Sequence, residues 1–334
     1  MTERTSTSDW LGLFCGVLAA VGYSLANVCL RWLTDLDPIW VSFLKAIPTV
    51  AIFGPVAIWQ VWTGRSPFPK VSSLLILIAA ATSSQLLGNA TLQWSFGVVG
   101  VAMSVPLCLG TMIVVGVVIS KLLLQESLTR WQAWGTFSLV LALVSLSLAG
   151  RGAIQSVVHH QTGWTLIVAG IFAPMVAGIS YAFLSVAIRR GVSREVSMAL
   201  STSLICCVGM VILGPLGYFT AGFDQIASTT LPQYGVLLVA GLLNAAAFVA
   251  LTLSFRYAPV NIGNAANSLQ NPLSALAGVM IFHEAFTINL AFGVVLTVLG
   301  VVLMGLKGRP VTRQAENSAK NGPAVVSAAP ENGR

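Results

Sequence analysis

Lys45 is the residue whose position most suggests chemistry, because it lies within the apolar segment DPIWVSFLKAIPTVAIFGPVAIW. That segment is apolar enough to cross a membrane, and a lysine at the centre of a bilayer costs about 2.5–3.5 kcal/mol on insertion scales. Two interpretations follow. The side chain extends outward to the interface, where its ammonium group would lie near Asp35, Asp37 or Glu284. Alternatively, it faces a wet cavity and binds an anionic group, most simply a carboxylate.

Asparagines and a serine form a polar stripe in the segment PVNIGNAANSLQNPLSALAG. At 100° per residue, the stripe falls within an arc of about 120° on one helix face. Polar side chains inside a membrane face the bundle interior or a wet cavity. The stripe therefore predicts either a cavity wall or a seam of interhelical hydrogen bonds. Its members are Asn261, Asn264, Asn267, Ser268 and Asn271.

A second polar stripe contains Thr82, Gln85, Asn89 and Gln93, and a cavity wall and a hydrogen-bonded seam are again the alternatives. Two pairs of side chains four residues apart also fall on single helix faces, namely Tyr23 with Asn27 and Tyr181 with Ser185. They are either further wall residues or ordinary packing. The residues that we predict to bind a substrate are Lys45, Gln85, Asn89, Asn264, Asn267, Ser268, Asn271, Tyr23, Asn27 and Tyr181.

The composition indicates that most of this chain faces lipid. Of its 334 residues, 56% are hydrophobic and 8% are charged, and the mean hydropathy is +0.86. Soluble domains carry about 25% charged residues. The net charge of +7 is therefore attributed to cytoplasmic loops, which are basic in membrane proteins, and no nucleic-acid partner is expected.

No catalytic or nucleotide-binding motif occurs in the sequence. P-loop, zinc-site and nucleophile patterns are missing, so we expect no cofactor, no metal, no enzymatic activity and no ATP-driven pump. All ten acidic residues lie in tails, loops or segment ends, which leaves no carboxylate pair at membrane depth for an intramembrane enzyme. A membrane sensor or scaffold that moves no solute is a further alternative.

Ten segments are long and apolar enough to cross a hydrocarbon core about 30 Å thick. Residues 1–9 are expected to form a cytoplasmic tail, residues 150–162 an outer loop between two halves, and residues 308–334 a disordered cytoplasmic tail. The predicted fold is thus an all-α integral membrane protein. The segments are 10–32, 38–62, 71–94, 98–124, 129–149, 163–188, 195–219, 233–255, 260–282 and 286–306.

The distribution of basic residues predicts the orientation. If the N-terminus is inside, fourteen of the 17 Lys and Arg residues fall on the inner side and two on the outer side, and Lys45 is the remaining one. Cytoplasmic loops of membrane proteins carry such an excess. Both termini are therefore predicted to be cytoplasmic.

The two halves, residues 10–149 and 163–307, resemble each other. ESLTRWQAWGTFSLVLALVSL in the first half aligns with EAFTINLAFGVVLTVLGVVLM in the second. Because each half has five segments, an odd number, the second half must enter the membrane in the opposite sense. Inverted repeats of this kind build transporters that alternate access around a central site.

Ten segments, two five-helix repeats and the turn pattern E-x-x-T-x-x-x-x-x-G in both halves resemble the EamA type of the drug/metabolite transporter superfamily. The resemblance covers about residues 10–307. It implies a multi-pass carrier of the bacterial inner membrane, with a central cavity between the halves. It also implies export or uptake of small metabolites such as amino acids, nucleosides, sugars or drugs.

Five residues belong to the repeated turns: Glu126, Thr129, His283, Glu284 and Thr287. The two threonines are expected to cap the helices that follow them. Carboxylates near helix N-termini are favoured by the helix dipole, so a structural role is expected for both glutamates. The alternative is a role in coupling transport to an ion, since histidine titrates near neutrality.

The fourth segment, VAMSVPLCLGTMIVVGVV, is almost wholly apolar, so we expect one polar and one apolar cavity wall. Such a cavity suits an amphipathic solute with a polar, carboxylate-bearing head. We therefore predict a secondary transporter that exports amino acids or related amphipathic solutes by alternating access. The alternatives are a drug, nucleoside or sugar carrier of the same superfamily, or the sensor or scaffold.

Overall fold

The structure, a computed structural model, describes residues 4–65, 70–119, 121–122, 130–157, 164–192, 197–283 and 286–305. In these ranges the chain forms α-helices, a π-helical segment at Ser84–Ala90 and no strand. The all-α class predicted from the sequence is confirmed for this part of the chain. The helices are α1 (Arg4–Arg31), α2 (Pro38–Leu44), α3 (Ile47–Trp62), α4 (Val71–Ser83), α5 (Thr91–Val99), α6 (Val101–Ile119), α7 (Arg130–Val157), α8 (Trp164–Val192), α9 (Met198–Ser228), α10 (Leu231–Tyr257), α11 (Val260–Asn267), α12 (Gln270–Phe282) and α13 (Ile288–Gly305).

Within the described ranges, seven helical stretches are long and apolar enough to cross a membrane, by length and composition. Two shorter apolar helices lie in α7 and α13, at Ala133–Ala142 and Ile288–Gly300. The seven stretches are Trp10–Arg31, Pro38–Trp62, Val71–Val99, Val101–Ile119, Trp164–Ile188, Met198–Ser228 and Leu231–Tyr257.

The second predicted segment is interrupted in its first third. α2 ends at Leu44, Lys45 and Ala46 form a turn, and α3 begins at Ile47. Pro48 explains the interruption, because its ring has no N–H and collides with the carbonyl group four residues earlier in a continuous helix. The turn sets Lys45 apart from the regular helix surface.

The ninth predicted segment is also interrupted, which corrects the expectation of one continuous polar face. α11 ends at Asn267, Ser268 and Leu269 form a turn, and α12 begins at Gln270. Pro272 cannot donate to the carbonyl of Ser268, and the Asn271 N–H donates to that carbonyl instead, at 2.9 Å. An arc calculated at 100° per residue is therefore wrong across this turn.

The two halves pack so that corresponding helices meet. α3 packs on α9, α6 on α12 and α7 on α13, while α1 packs on α10 and α8 on the stretch from α4 to α5. Between α7 and α13, the Ser138 hydroxyl donates to the Leu296 carbonyl and the Ser145 hydroxyl to the Asn289 carbonyl, both at 2.8 Å. This pairing surrounds one interior with helices from both halves.

Candidate functional site

A cavity of about 120 Å³ lies among helices of both halves. A single water needs only about 10–15 Å³ of such space, so the cavity has room for several waters or for a small organic group. The lining residues come from α1, the turn after α2, the π-helical segment, α5, α6, α8, α9, α10, α11 and α12. They are Tyr23, Asn27, Lys45, Ser84, Gln85, Asn89, Leu92, Val105, Cys108, Leu109, Met112, Tyr181, Leu184, Ser185, Ile188, Ile205, Cys206, Asn244, Phe248, Leu251, Phe255, Asn267 and Gln270.

Seven of the ten residues predicted to bind a substrate line this one cavity: Tyr23, Asn27, Lys45, Gln85, Asn89, Tyr181 and Asn267. The other three, Asn264, Ser268 and Asn271, are buried and lie outside its lining. The Asn264 Oδ1 accepts a hydrogen bond from the Ser185 hydroxyl at 3.3 Å. Neither amide atom of Asn271 has a hydrogen-bond partner within the described part of the chain.

Lys45 faces this cavity and does not extend to the outer interface. Its side chain is only 6% exposed, and its ammonium group donates to Asn89 Oδ1 at 2.9 Å. Among the described residues that line the cavity there is no acidic side chain, and Lys45 is the one cationic member. The cavity therefore contains a buried positive charge that is bound to a neutral amide.

The π-helical segment presents Gln85 and Asn89 together toward this charge. Asn89 Oδ1 also accepts from the Tyr181 hydroxyl at 2.9 Å, and Asn89 Nδ2 donates to Gln85 Oε1 at 2.6 Å. Gln85 Nε2 in turn donates to the Ile205 carbonyl at 3.3 Å. Single-turn π segments inside α-helices are frequent at functional sites. This one links side chains of the first half to α8 and α9 of the second.

Two glycines make room for this network. A Cβ atom at Gly88 would lie 2.7 Å from Tyr181 Cε1, and one at Gly209 would lie 2.6 Å from Gln85 Cδ. Both distances are well below an ordinary carbon contact of about 3.5–4.0 Å. Any larger residue at either position would displace a side chain that faces the cavity.

The remaining wall is apolar, and much of it comes from the fourth predicted segment. Val105, Cys108, Leu109 and Met112 of α6 line the cavity, together with leucine, isoleucine and phenylalanine side chains of α8, α9 and α10. The expected combination of a polar and an apolar wall is therefore present in the geometry. An amphipathic molecule could place its polar head near Lys45 and its apolar part against α6.

Apolar packing lies on both sides of the cavity along the helices. In α1, Tyr23 and Asn27 stand between Ala19 of one buried apolar cluster and Leu30 of another. The third segment repeats the order, with its cavity residues between Ala81 and Phe96. Along these helices, the polar site thus lies between two layers of packed apolar side chains.

Ser84, Asn244 and Gln270 line the cavity but were not among the predicted binding residues. Gln270 lies off the arc expected for a continuous ninth helix, and the turn at Ser268 and Leu269 brings it to the cavity, where its Nε2 donates to Asn267 Oδ1 at 2.7 Å. Asn244 was a lone amide in an apolar segment. Its amide was the available signal, because polar groups at membrane depth face the interior.

Of the five turn residues, Glu126, Thr129 and Glu284 lie outside the described residues. Thr287 Oγ1 accepts a hydrogen bond from the Leu290 N–H at 3.1 Å, the capping contact expected at the start of α13. His283 follows α12, is exposed and has a φ of 53°. A role of these residues in ion coupling stays a prediction.

In the part of the chain that the structure describes, long apolar helices surround a cavity with a polar and an apolar wall. The sequence profile of the EamA-like transporter family matches residues 10–148 and 168–306. The chain belongs to the EamA-like transporter family, within the drug/metabolite transporter superfamily. It is therefore a multi-pass integral membrane protein, and the double match confirms the internal repeat.

The fold also resembles that of solved structures. One of them, described only as the crystal structure of a protein, is 14% identical to this chain, with a TM-score of 0.58. The match covers 91% of this chain and 96% of that one. At this identity the similarity shows a shared fold. No curated protein matches the sequence.

Proposed function

We propose that this protein is a secondary transporter that exports small, carboxylate-bearing amphipathic solutes, most simply amino acids or their relatives. The observation that carries the proposal is the Lys45 ammonium group, which is buried in the cavity and donates to the neutral Asn89. Family membership supports the transport of a small molecule. The charge and the lining support the choice of solute.

A carboxylate is the natural complement of this site. An ammonium group has three N–H donors, and Asn89 accepts one hydrogen bond from Lys45. No acidic side chain of the described lining competes for the other two. Taking a charge out of water is costly unless an opposite charge and hydrogen bonds compensate it. A bound carboxylate would supply both the opposite charge and the hydrogen bonds, whereas water in the cavity supplies hydrogen bonds without the charge.

The apolar wall favours a solute with a hydrocarbon part over a free sugar. Val105, Leu109 and Met112 offer no hydrogen bonds to the several hydroxyls of a sugar. Burying unpartnered hydroxyls is unfavourable by roughly 1–3 kcal/mol each in proteins. An amino acid with an apolar side chain meets both walls without this loss.

The proposed topology has ten crossings as two inverted repeats, with both termini in the cytoplasm of a bacterium and the protein in its inner membrane. The seven long stretches, α7, α13 and the pair α11 and α12 supply these crossings. The excess of basic residues on the inner side supports the orientation. Alternating access would open one apolar layer beside the cavity while the other stays closed.

Metabolite comparison between cells that lack the gene and cells that overproduce the protein tests this proposal. We expect one or more carboxylate-bearing solutes to accumulate in the medium of the overproducing cells and inside the deletion cells. Cells that produce a Lys45→Met variant at the same membrane level should resemble the deletion cells. Accumulation of sugars or nucleosides in place of carboxylates would contradict the proposed solute class, and the opposite gradient would contradict export.

A further inference from the structure

Three polar groups of the cavity differ from the rest because they have no hydrogen-bond partner among the described residues. Lys45, Gln85, Asn89 and Tyr181 are bonded in one network, and Asn267 is bonded to Gln270. The Tyr23 hydroxyl and the amides of Asn27 and Asn244 line the same cavity without such a bond. Asn27 is only 9% exposed. Buried amides normally have partners, so the amide of Asn27 is available to a ligand. The half-buried Tyr23 hydroxyl and Asn244 amide are available as well.

The two amides face the cavity from neighbouring helices. α1 packs on α10 in an antiparallel register. A Cβ at Gly12, at Gly16 and at Gly22 of α1 would meet Ala258, Ser254 and Ala247 in turn, which run backwards from the residue after α10 into that helix. Continuing this register places Asn27 opposite residues 242–243, within one helical turn of Asn244. Tyr23 lies one helical turn from Asn27 on the same face of α1.

This cluster is also close to the Lys45 turn. A Cβ at Gly241 would lie 2.9 Å from the Lys45 carbonyl oxygen, so α10 packs directly on the turn between α2 and α3. Asn244 is three residues beyond Gly241 and therefore on the same side of α10. One bound molecule can thus reach both the Lys45 ammonium group and the amide of Asn244.

We infer that Asn27 and Asn244, with the Tyr23 hydroxyl, form a second subsite that binds the ammonium group of a zwitterionic solute. The inference rests on the proposed function, in which Lys45 binds the carboxylate of that solute. Amide and phenol oxygens are neutral acceptors that can surround an ammonium group. The solute's own carboxylate lies between its ammonium group and Lys45, which reduces the repulsion between the two cations.

Binding of a second anionic group in this subsite would be less favourable than binding of an ammonium group. The two amides could donate to an anion, but they carry no charge and Lys45 is the one cation of the described lining. A dicarboxylate would bring two negative charges into the cavity against the single cation Lys45 of the described lining, whereas the two charges of a zwitterion compensate each other. A solute with one carboxylate and one ammonium group brings no net charge into the cavity.

Competition binding to the purified full-length protein in nanodiscs tests the inference with matched pairs of solutes. Each pair is an amino acid and the same acid without its amino group, and leucine and 4-methylpentanoate are the first pair. The wild type should bind the amino acid about ten- to a hundredfold more tightly than the deaminated acid, because hydrogen bonds to a charged group contribute to the affinity. Asn27→Leu and Asn244→Leu should each reduce this preference and leave the affinity for the deaminated acid within about threefold.

Gln93→Leu is the matched control, because the Gln93 amide donates to the Leu30 carbonyl at 3.0 Å and does not line the cavity. It should keep the wild-type preference. A wild-type protein that binds leucine and 4-methylpentanoate equally well overturns the inference, and this test needs no variant. An unchanged preference in both asparagine variants also overturns it. Lys45→Met should lower the affinity for both solutes together. If this variant bound each solute as tightly as the wild type does, that result would contradict the proposed function instead.

Discussion

Replacing Lys45 by methionine should weaken the binding of carboxylate-bearing solutes without unfolding the protein. Methionine keeps most of the length of the lysine stem and packs adaptably. The Tyr181 hydroxyl still donates to Asn89 Oδ1 at 2.9 Å, so the substitution leaves this acceptor with a partner. Because a buried ammonium group no longer has to lose its water shell, the melting temperature should stay the same or rise.

The expected loss of affinity follows from the burial of the charge. Lys45 is 6% exposed, so a carboxylate bound to it forms a largely buried pair. Truncating one member of such a pair costs about 2–5 kcal/mol, which is about 30- to 5,000-fold in affinity. A cavity of about 120 Å³ also holds water that screens the pair. We therefore expect the lower part of this range, about 30- to 300-fold.

Isothermal titration or a scintillation proximity assay on the purified protein measures this change directly. Lys70→Met is the matched control, because Lys70 is exposed just before α4 and outside the cavity. The control should bind the solute like the wild type. Unchanged affinity in a folded Lys45→Met variant would refute the reasoning and would assign Lys45 to a structural role.

Three further predictions concern the network, its packing and the topology. Asn89→Leu removes the acceptor shared by Lys45 and Tyr181, so solute affinity and thermal stability should both fall in a binding and unfolding assay. Gly209→Ala should destabilise the protein by about 1–3 kcal/mol, because the added methyl group overlaps Gln85. Gly235→Ala is the control and should not destabilise it, because no atom lies within 4 Å of the added Cβ. Thermal unfolding of the two variants measures the difference. A reporter fused to the carboxyl terminus should be active as cytoplasmic green fluorescent protein and inactive as alkaline phosphatase, and the reverse pattern would contradict the orientation.

Much of the cavity could be predicted because amides and charges are rare in apolar segments. Lys45, Gln85 and Asn89 were identifiable from residue type alone, since a polar side chain at membrane depth needs an interior or a cavity. Tyr23 and Tyr181 were identifiable because each shares a helix face with a second polar residue four positions later. The structure brings all five to one cavity.

The local helix geometry could not be predicted from the same pattern. A regular period of 100° per residue assumes an unbroken α-helix, and the segments that carry most of the polar residues are irregular. Ser84–Ala90 is π-helical, and turns interrupt the helices at Lys45 and at Ser268. Proline residues near the two turns gave a signal for the interruptions, but no residue in the third segment marked the π-helical turn.

The turn at Ser268 shows what such an irregularity changes. On a continuous helix, Asn271 would fall within the polar arc, and Gln270 would fall about 60° beyond its edge at 100° per residue. In the structure Asn267 and Gln270 line the cavity and bond to each other, and Asn271 is fully buried outside its lining. The residue types were sufficient to predict that this segment lines the cavity. The backbone geometry determines which of its amides do so.

Efflux from proteoliposomes tests the central claim most directly. Vesicles that contain the purified protein are loaded with a defined mixture of amino acids, sugars and nucleosides, and the solutes that leave are identified by mass spectrometry beside protein-free vesicles. We expect amino acids with apolar side chains to leave through the wild type and to stay in vesicles with Lys45→Met. Efflux of sugars or nucleosides without amino acids, or equal efflux through both proteins, would contradict it.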